Sequence, residues 1–186
     1  MRRHVSIALT AAALAALASG CGSTDELPAA PAPHPTPFDA KGISFVAPAG
    51  WTVNRGTGHL IATVATGEGT VAIWRFPRKQ ELPDTKDELR AARDGLVDAL
   101  TSKDDAFEAI ATAPTEIAGQ PAVQIRAHET IAGVVRTVRT SHIYAGGAEY
   151  VVDAYTDDSR FRDIDARFFR PILRSMKVEG SAQDTA

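Results

Sequence analysis

QIRAHETI-AG-VVRTVRTSHIY, residues 124–144, is the stretch whose reading decides the fold. Two runs rich in β-branched residues flank the dipeptide Ala132-Gly133, which is the signal of a β-hairpin. Centring the turn there pairs Ile131 with Val134, Glu129 with Arg136, Ala127 with Val138 and Ile125 with Thr140. One face then carries Ile125, Ala127, Ile131, Val134 and Val138. The other face sets Arg126 directly opposite Arg139, with His128 two residues along.

Working outward, a second hairpin centred on Gly146-Gly147 puts Val151 opposite His142 and Tyr150 opposite Ile143, within a strand over 150–156. Apolar residues therefore fall on both faces of the sheet, and helices are expected to cover at least part of each. Upstream, strand signals occupy 107–112, followed by a Gly119-Gln120 turn. Others lie at 60–66 and 70–76, joined by Gly67-Glu68-Gly69, and at 43–46, turning through Pro48-Ala49-Gly50 into Trp51-Thr52-Val53. Thr85 and Glu88 form the Thr-x-x-Glu signature of a helix start. Leu89, Ala92, Leu96, Val97 and Leu100 then recur at helical spacing to about Lys103. A second helix is predicted over 160–175, broken or kinked at Pro171. The fold class is α+β: an antiparallel sheet of about six to seven strands flanked by helices.

The chain's start carries a different message. Arg2 and Arg3 precede an uncharged apolar run, and Leu17-Ala18-Ser19-Gly20-Cys21 follows it. Together these resemble a bacterial lipoprotein signal peptide ending in a lipobox, with Cys21 as the acylated residue. The apolar run is short for a membrane span. The expected organisation is a signal peptide over 1–20, a lipidated cysteine and proline-rich linker over 21–37, a folded domain over 38–178 and a polar tail over 179–186. The prolines at 28, 31, 33, 35 and 37 favour a semi-rigid polyproline stalk rather than helix or strand. The expected location is the extracytoplasmic face of the cell membrane, reached through a lipid on Cys21. The chain has 20 basic and 23 acidic residues. Removing residues 1–20 takes two basic residues and no acidic one, leaving 18 against 23, a net charge of −5. Such a domain has no electrostatic footprint for nucleic acid. Cys21 is the only cysteine, so no intrachain disulfide can form.

With its elements in order, the domain resembles the PsbP-like group, which includes small bacterial lipoproteins of the DcrB and LpqN types. The residues that carry the resemblance are Gly42-Ile43-Ser44-Phe45-Val46-Ala47-Pro48-Ala49-Gly50-Trp51, Ile117-Ala118-Gly119-Gln120-Pro121-Ala122, and Phe168, Pro171, Ile172, Leu173 and Ser175 of the terminal helix. It covers about Phe38 to Val178. It implies a sheet between helices, no shared catalytic residue, and members that act mainly by binding or stabilising other proteins.

No catalytic, cofactor or metal constellation is expected. There is no Gly-x-Ser-x-Gly elbow, and Ser141 and His142 are adjacent in a strand, so they point to opposite faces. His142 and Asp153 fall diagonally on one face, where a structural hydrogen bond is the simpler reading and an oriented general base the sharper one. His59, His128 and His142 lack metal-ligand spacing. Asp104-Asp105 and Asp157-Asp158 lack the spacing of a calcium loop, and the second pair suits a helix start. Trp51 and Trp74 are core residues before they are an aromatic cradle. The expected function is a non-enzymatic envelope module that binds a protein partner. The alternative is a carrier or sensor of a small apolar or anionic ligand in a sheet–helix pocket. Arg126, His128 and Arg139 form the candidate partner-binding patch, because like charges facing each other across strands call for an acidic counterpart.

Overall fold

A computed structural model of the protein describes residues 34–179. Cys21, the signal segment, most of the proline-rich linker and the tail from Gly180 lie outside the described residues. Ten strands and three short-linked helical pieces follow in order: β1 (Thr36–Ala40), β2 (Ile43–Ala47), β3 (Thr52–Arg55), β4 (Leu60–Thr66), β5 (Gly69–Pro77), α1 (Lys86–Lys103), β6 (Glu108–Ile117), β7 (Gln120–Ile131), β8 (Val134–Ala145), β9 (Ala148–Thr156), α2 (Asp158–Ile164), α3 (Arg170–Ser175) and β10 (Lys177–Val178). Seven strands form an antiparallel sheet in the order β3-β4-β5-β9-β8-β7-β6, and β1, β2 and β10 form a second, three-stranded sheet. The α+β architecture is that expected, and the large sheet has the expected number of strands; the small second sheet is additional.

The central hairpin folds in the register set by its turn. Ile131 pairs with Val134, Arg126 with Arg139 and Ile125 with Thr140, while His142 pairs with Val151 and Tyr150 with Ile143. Ala132 and Gly133 both adopt positive φ, at 52° and 79°. Two such residues in succession give the turn a twist that matches the flanking strands. The preceding hairpin turns at Ala118 and Gly119, both also at positive φ, one residue before the expected Gly119-Gln120.

Each face of the large sheet is covered differently. The main core packs β4, β5, β8 and β9 against the small sheet and the C-terminal helical stretch, with Tyr150, Phe169, Ile43, Ile73 and Ile164 fully buried. On the opposite face α1 lays Leu89, Ala92, Leu96, Val97 and Leu100 on Val123, Ile125, Ala127 and Tyr144. Thr85 caps α1 as its spacing predicts: its side chain accepts from Glu88 N–H and the Glu88 carboxylate accepts from Thr85 N–H. The far end is tied down by Asp104, whose carboxylate accepts from Thr130 N–H and Oγ1 and from Ala106 N–H.

Three local readings are corrected. Strand β1 begins at Thr36, inside the segment read as strand-free linker. Pro37 is tolerated there because β1 pairs only with β2 and so lies at the sheet edge. Strand β6 runs five residues past Thr112, through Pro114, again because it is an outer strand. The second helix begins at Asp158 and changes pitch before Pro171: residues 165–169 form a π-turn in which Arg170 N–H donates to the Asp165 carbonyl five residues back. Pro171 has no N–H to continue the ordinary ladder, and the wider turn accommodates that loss.

Candidate functional site: an arginine-lined cleft

The helical stretch packs on β8, β9 and β2 and leaves a cleft between α3 and the outer strand β6. Its volume is about 590 Å³, and Thr115, Gln124, Arg139, Arg170, Leu173 and Arg174 are among its walls. An adjoining pocket of about 210 Å³ shares Thr115, Gln124 and Arg139 and extends to Ala111, Ala113 and Arg126. Register explains the contents. Ala111 pairs with Arg126, Ala113 with Gln124 and Thr115 with Ala122, so these residues share one face of the sheet. Arg170 and Arg174 are four residues apart on α3 and therefore adjacent on its surface.

The two facing arginines have different fates. Arg139 is 8% exposed and all three of its guanidinium nitrogens donate hydrogen bonds. Nε and Nη2 donate to the two carboxylate oxygens of Asp165 at 2.6 and 2.8 Å, and Nη1 donates to Gln124 Oε1. Asp165, 2% exposed, also accepts from Arg170 Nε at 2.9 Å. The acidic counterpart demanded by the like-charge pair thus comes, for Arg139, from the π-turn of the covering helix. Arg126 has no such partner among the described residues. Its Nε is buried and makes no hydrogen bond, so a guanidinium beside the occupied one keeps its donors for something else. Arg174 likewise forms no ion pair among the described residues.

His128 does not line either pocket. Its ring nitrogens lie 3.3 Å from Glu108 Oε2 and 3.3 Å from Asp158 Oδ1. Asp158 also accepts from Thr137 Oγ1 at 2.7 Å, and these bonds, Thr137 first, hold its carboxyl below the usual range. The structure therefore brings Arg126 and Arg139 together, leaves His128 at the rim, and adds Arg170 and Arg174. The two helix arginines show an i, i+4 spacing in the sequence, but that spacing does not say which strand the helix lies beside.

The remaining candidates resolve into structure. Ser141 accepts from Gln124 Nε2 at 3.1 Å on the cleft face, while His142 lies on the other face. His142 bonds Glu149, Nδ1 to Oε1 at 2.6 Å, rather than Asp153. Both residues sit diagonally from His142, and Glu149 is the one also paired with Arg78. Burial would raise the Glu149 carboxyl, but the hydrogen bonds from His142 and Arg78 outweigh it and hold it low. Asp153 is pushed up by burial, with a hydrogen bond donated by the Thr140 hydroxyl opposing the shift. Trp51 packs on Phe168 and Phe169, with centroids 5.2 and 6.3 Å apart, and does not form a cradle with Trp74. Asp157 and Asp158 sit at the start of α2, as read. Among the described residues no cluster of three or more His, Cys, Asp or Glu side chains is placed to hold a metal. No described helix is long and apolar enough to cross a membrane.

No protein-family model matches the chain, and a search of curated proteins finds no match. Solved structures do match. The cyanobacterial PsbP of Synechocystis is 16% identical with a TM-score of 0.57, over 81% of this chain and 95% of that one. LpqN, involved in cell envelope biogenesis of Mycobacterium tuberculosis, is 14% identical with a TM-score of 0.53, over 78% and 91%. A Pseudomonas aeruginosa protein of unknown function is 13% identical with a TM-score of 0.50, over 76% and 95%. The fold is that of PsbP-like domains.

Proposed function

We propose that the protein is a lipid-anchored, extracytoplasmic, non-enzymatic binding module that engages an acidic region of an envelope protein through the cleft between α3 and β6. One observation carries this reading: in a chain with a net charge of −3, guanidinium groups converge on the cleft and the pocket that adjoins it, and Arg126 and Arg174 there have no carboxylate partner among the described residues. Guanidinium forks recognise carboxylates with directional, charge-assisted hydrogen bonds. Anchoring rests on Cys21 and the lipobox before it. Two or more acyl chains there give stable membrane residence, whereas a single chain gives only marginal binding.

The cleft volume favours a second reading, a carrier of a small anionic ligand, because about 590 Å³ suits a small molecule as well as side chains. In-cell crosslinking of the anchored protein separates the two. Under the leading reading, Arg126→Ala with Arg174→Ala folds normally and loses a crosslinked protein species present in wild type. Under the second, no protein species depends on the arginines and purified protein retains a small anion. An unaltered crosslinking pattern with no anion retained overturns both.

A further inference from the structure

We infer that the cleft receives an extended acidic segment of the partner polypeptide, laid beside β6 as an eighth strand of the large sheet. The inference deepens the proposed reading of the cleft and rests on it. Strand β6 closes the sheet on this side, and its outward backbone groups have no strand partner among the described residues. Its only charges are Glu108 and Glu116, near its ends. Between them the cleft-facing residues Ala111, Ala113 and Thr115 are short and exposed.

These short side chains form a gutter from the sheet edge to Arg126. An added strand would sit about 4.8 Å beyond β6, and so about 10 Å from the backbone of Arg126 on β7. An arginine and a glutamate extended towards each other over Ala111 span that distance. Alternate residues of a strand share a face, so an acidic residue at every second position presents a row of carboxylates to Arg126 and Arg174 while its backbone pairs with β6. Edge strands are commonly guarded against indiscriminate pairing by bulges and prolines. Here the register shifts at Ile110, between Ala109 and Ala111, and Pro114 lacks a donor. Both keep backbone pairing alone weak and leave selection to the arginines.

The test is calorimetric titration of the full chain in detergent with a synthetic peptide of alternating glutamate and valine, about ten residues long. Two forms of the same peptide, each carrying N-methyl groups on alternate backbone nitrogens along one edge or the other, are the comparison, since methylation removes the donors that a ladder needs. The expected result is binding of the unmodified peptide and a loss of about tenfold on N-methylation of the edge that meets β6, equivalent to one hydrogen bond at about 1.4 kcal/mol. Arg126→Ala and, separately, Ala111→Glu weaken the unmodified peptide by tenfold or more at an unchanged melting temperature. Amide hydrogen exchange slows in β6 on binding. If both methylated forms bind as well as the unmodified peptide while Arg126→Ala still weakens all of them, the cleft takes carboxylates without strand addition. The inference then fails while the proposed function stands. If Arg126→Ala leaves binding unchanged, or no acidic peptide binds, both fail.

Discussion

Removing the Asp165 carboxylate should be among the most damaging single changes in the domain. Its oxygens receive two hydrogen bonds from Arg139, at 2.6 and 2.8 Å, and one from Arg170 at 2.9 Å. The Arg139 and Asp165 side chains are only 9% and 3% exposed. Asp165→Ala therefore strands a buried guanidinium whose remaining partner is Gln124. Breaking a buried pair by deleting one member costs about 3–5 kcal/mol, because the surviving charge stays desolvated. A domain of this size loses about 2–4 °C of melting temperature per kcal/mol, so the fall should be about 6–20 °C. Replacing both members with apolar residues of similar volume, Arg139→Met with Asp165→Leu, should recover most of the loss, since neither charge then needs a partner. Urea denaturation of the wild type, Arg139→Met, Asp165→Leu and the double variant gives the coupling energy directly. A single-variant cost below about 1 kcal/mol, typical of exposed pairs, would refute the account of a buried, hydrogen-bonded Arg139. It would also return that arginine to the set available for ligands.

Other expectations follow from neighbouring contacts. Leu89, the buried residue of α1, should cost about 2–5 kcal/mol on substitution by alanine, and the half-buried Leu96 less; equal losses would mean that the helix sits in another phase. Thr85→Ala should cost about 1 kcal/mol by removing the cap, measured by thermal denaturation. The folded-state carboxyl of Glu149 lies below its usual value of 4.5, so its contribution to stability is present above that pH and is lost as the pH falls below it. Glu149→Gln should therefore be less stable than wild type at neutral pH, with the gap narrowing in acid, as melting curves across pH would record. Cys21→Ser should abolish lipidation and leave the domain unanchored or the precursor uncleaved, as read by membrane fractionation and mass analysis. A wild-type product with a free Cys21 thiol would remove the anchor.

The parts of the fold legible in the sequence are those set by local chemistry. Ala132-Gly133 determined a register that placed Arg126 against Arg139, and Thr85 with Glu88 located the start of α1. Pro37 misled because proline argues against a strand only where both neighbours are present, and a sequence does not say which strands are outermost. The candidate site was half legible for the same reason. Strand pairing made Arg126 and Arg139 neighbours, but the carboxylate that occupies Arg139 arrives from Asp165, on a helix distant in sequence. Arg170 and Arg174 follow on that helix, and no short-range pattern predicts which strand it will lie beside. The choice of Glu149 over Asp153 by His142 was equally hidden, because both occupy diagonal positions and Arg78, which pairs with Glu149, reaches in from the end of β5.

Site-specific photocrosslinking in cells tests the central claim most directly, with the crosslinking side chain placed at Thr115 in the cleft and, as a control, at Thr63 on the opposite face of the sheet. The account predicts a discrete protein adduct from Thr115 that disappears when Arg126 and Arg174 are both alanine, and no adduct from Thr63 that depends on them. An adduct from Thr115 that survives the loss of both arginines, or a partner captured only from Thr63, would contradict it.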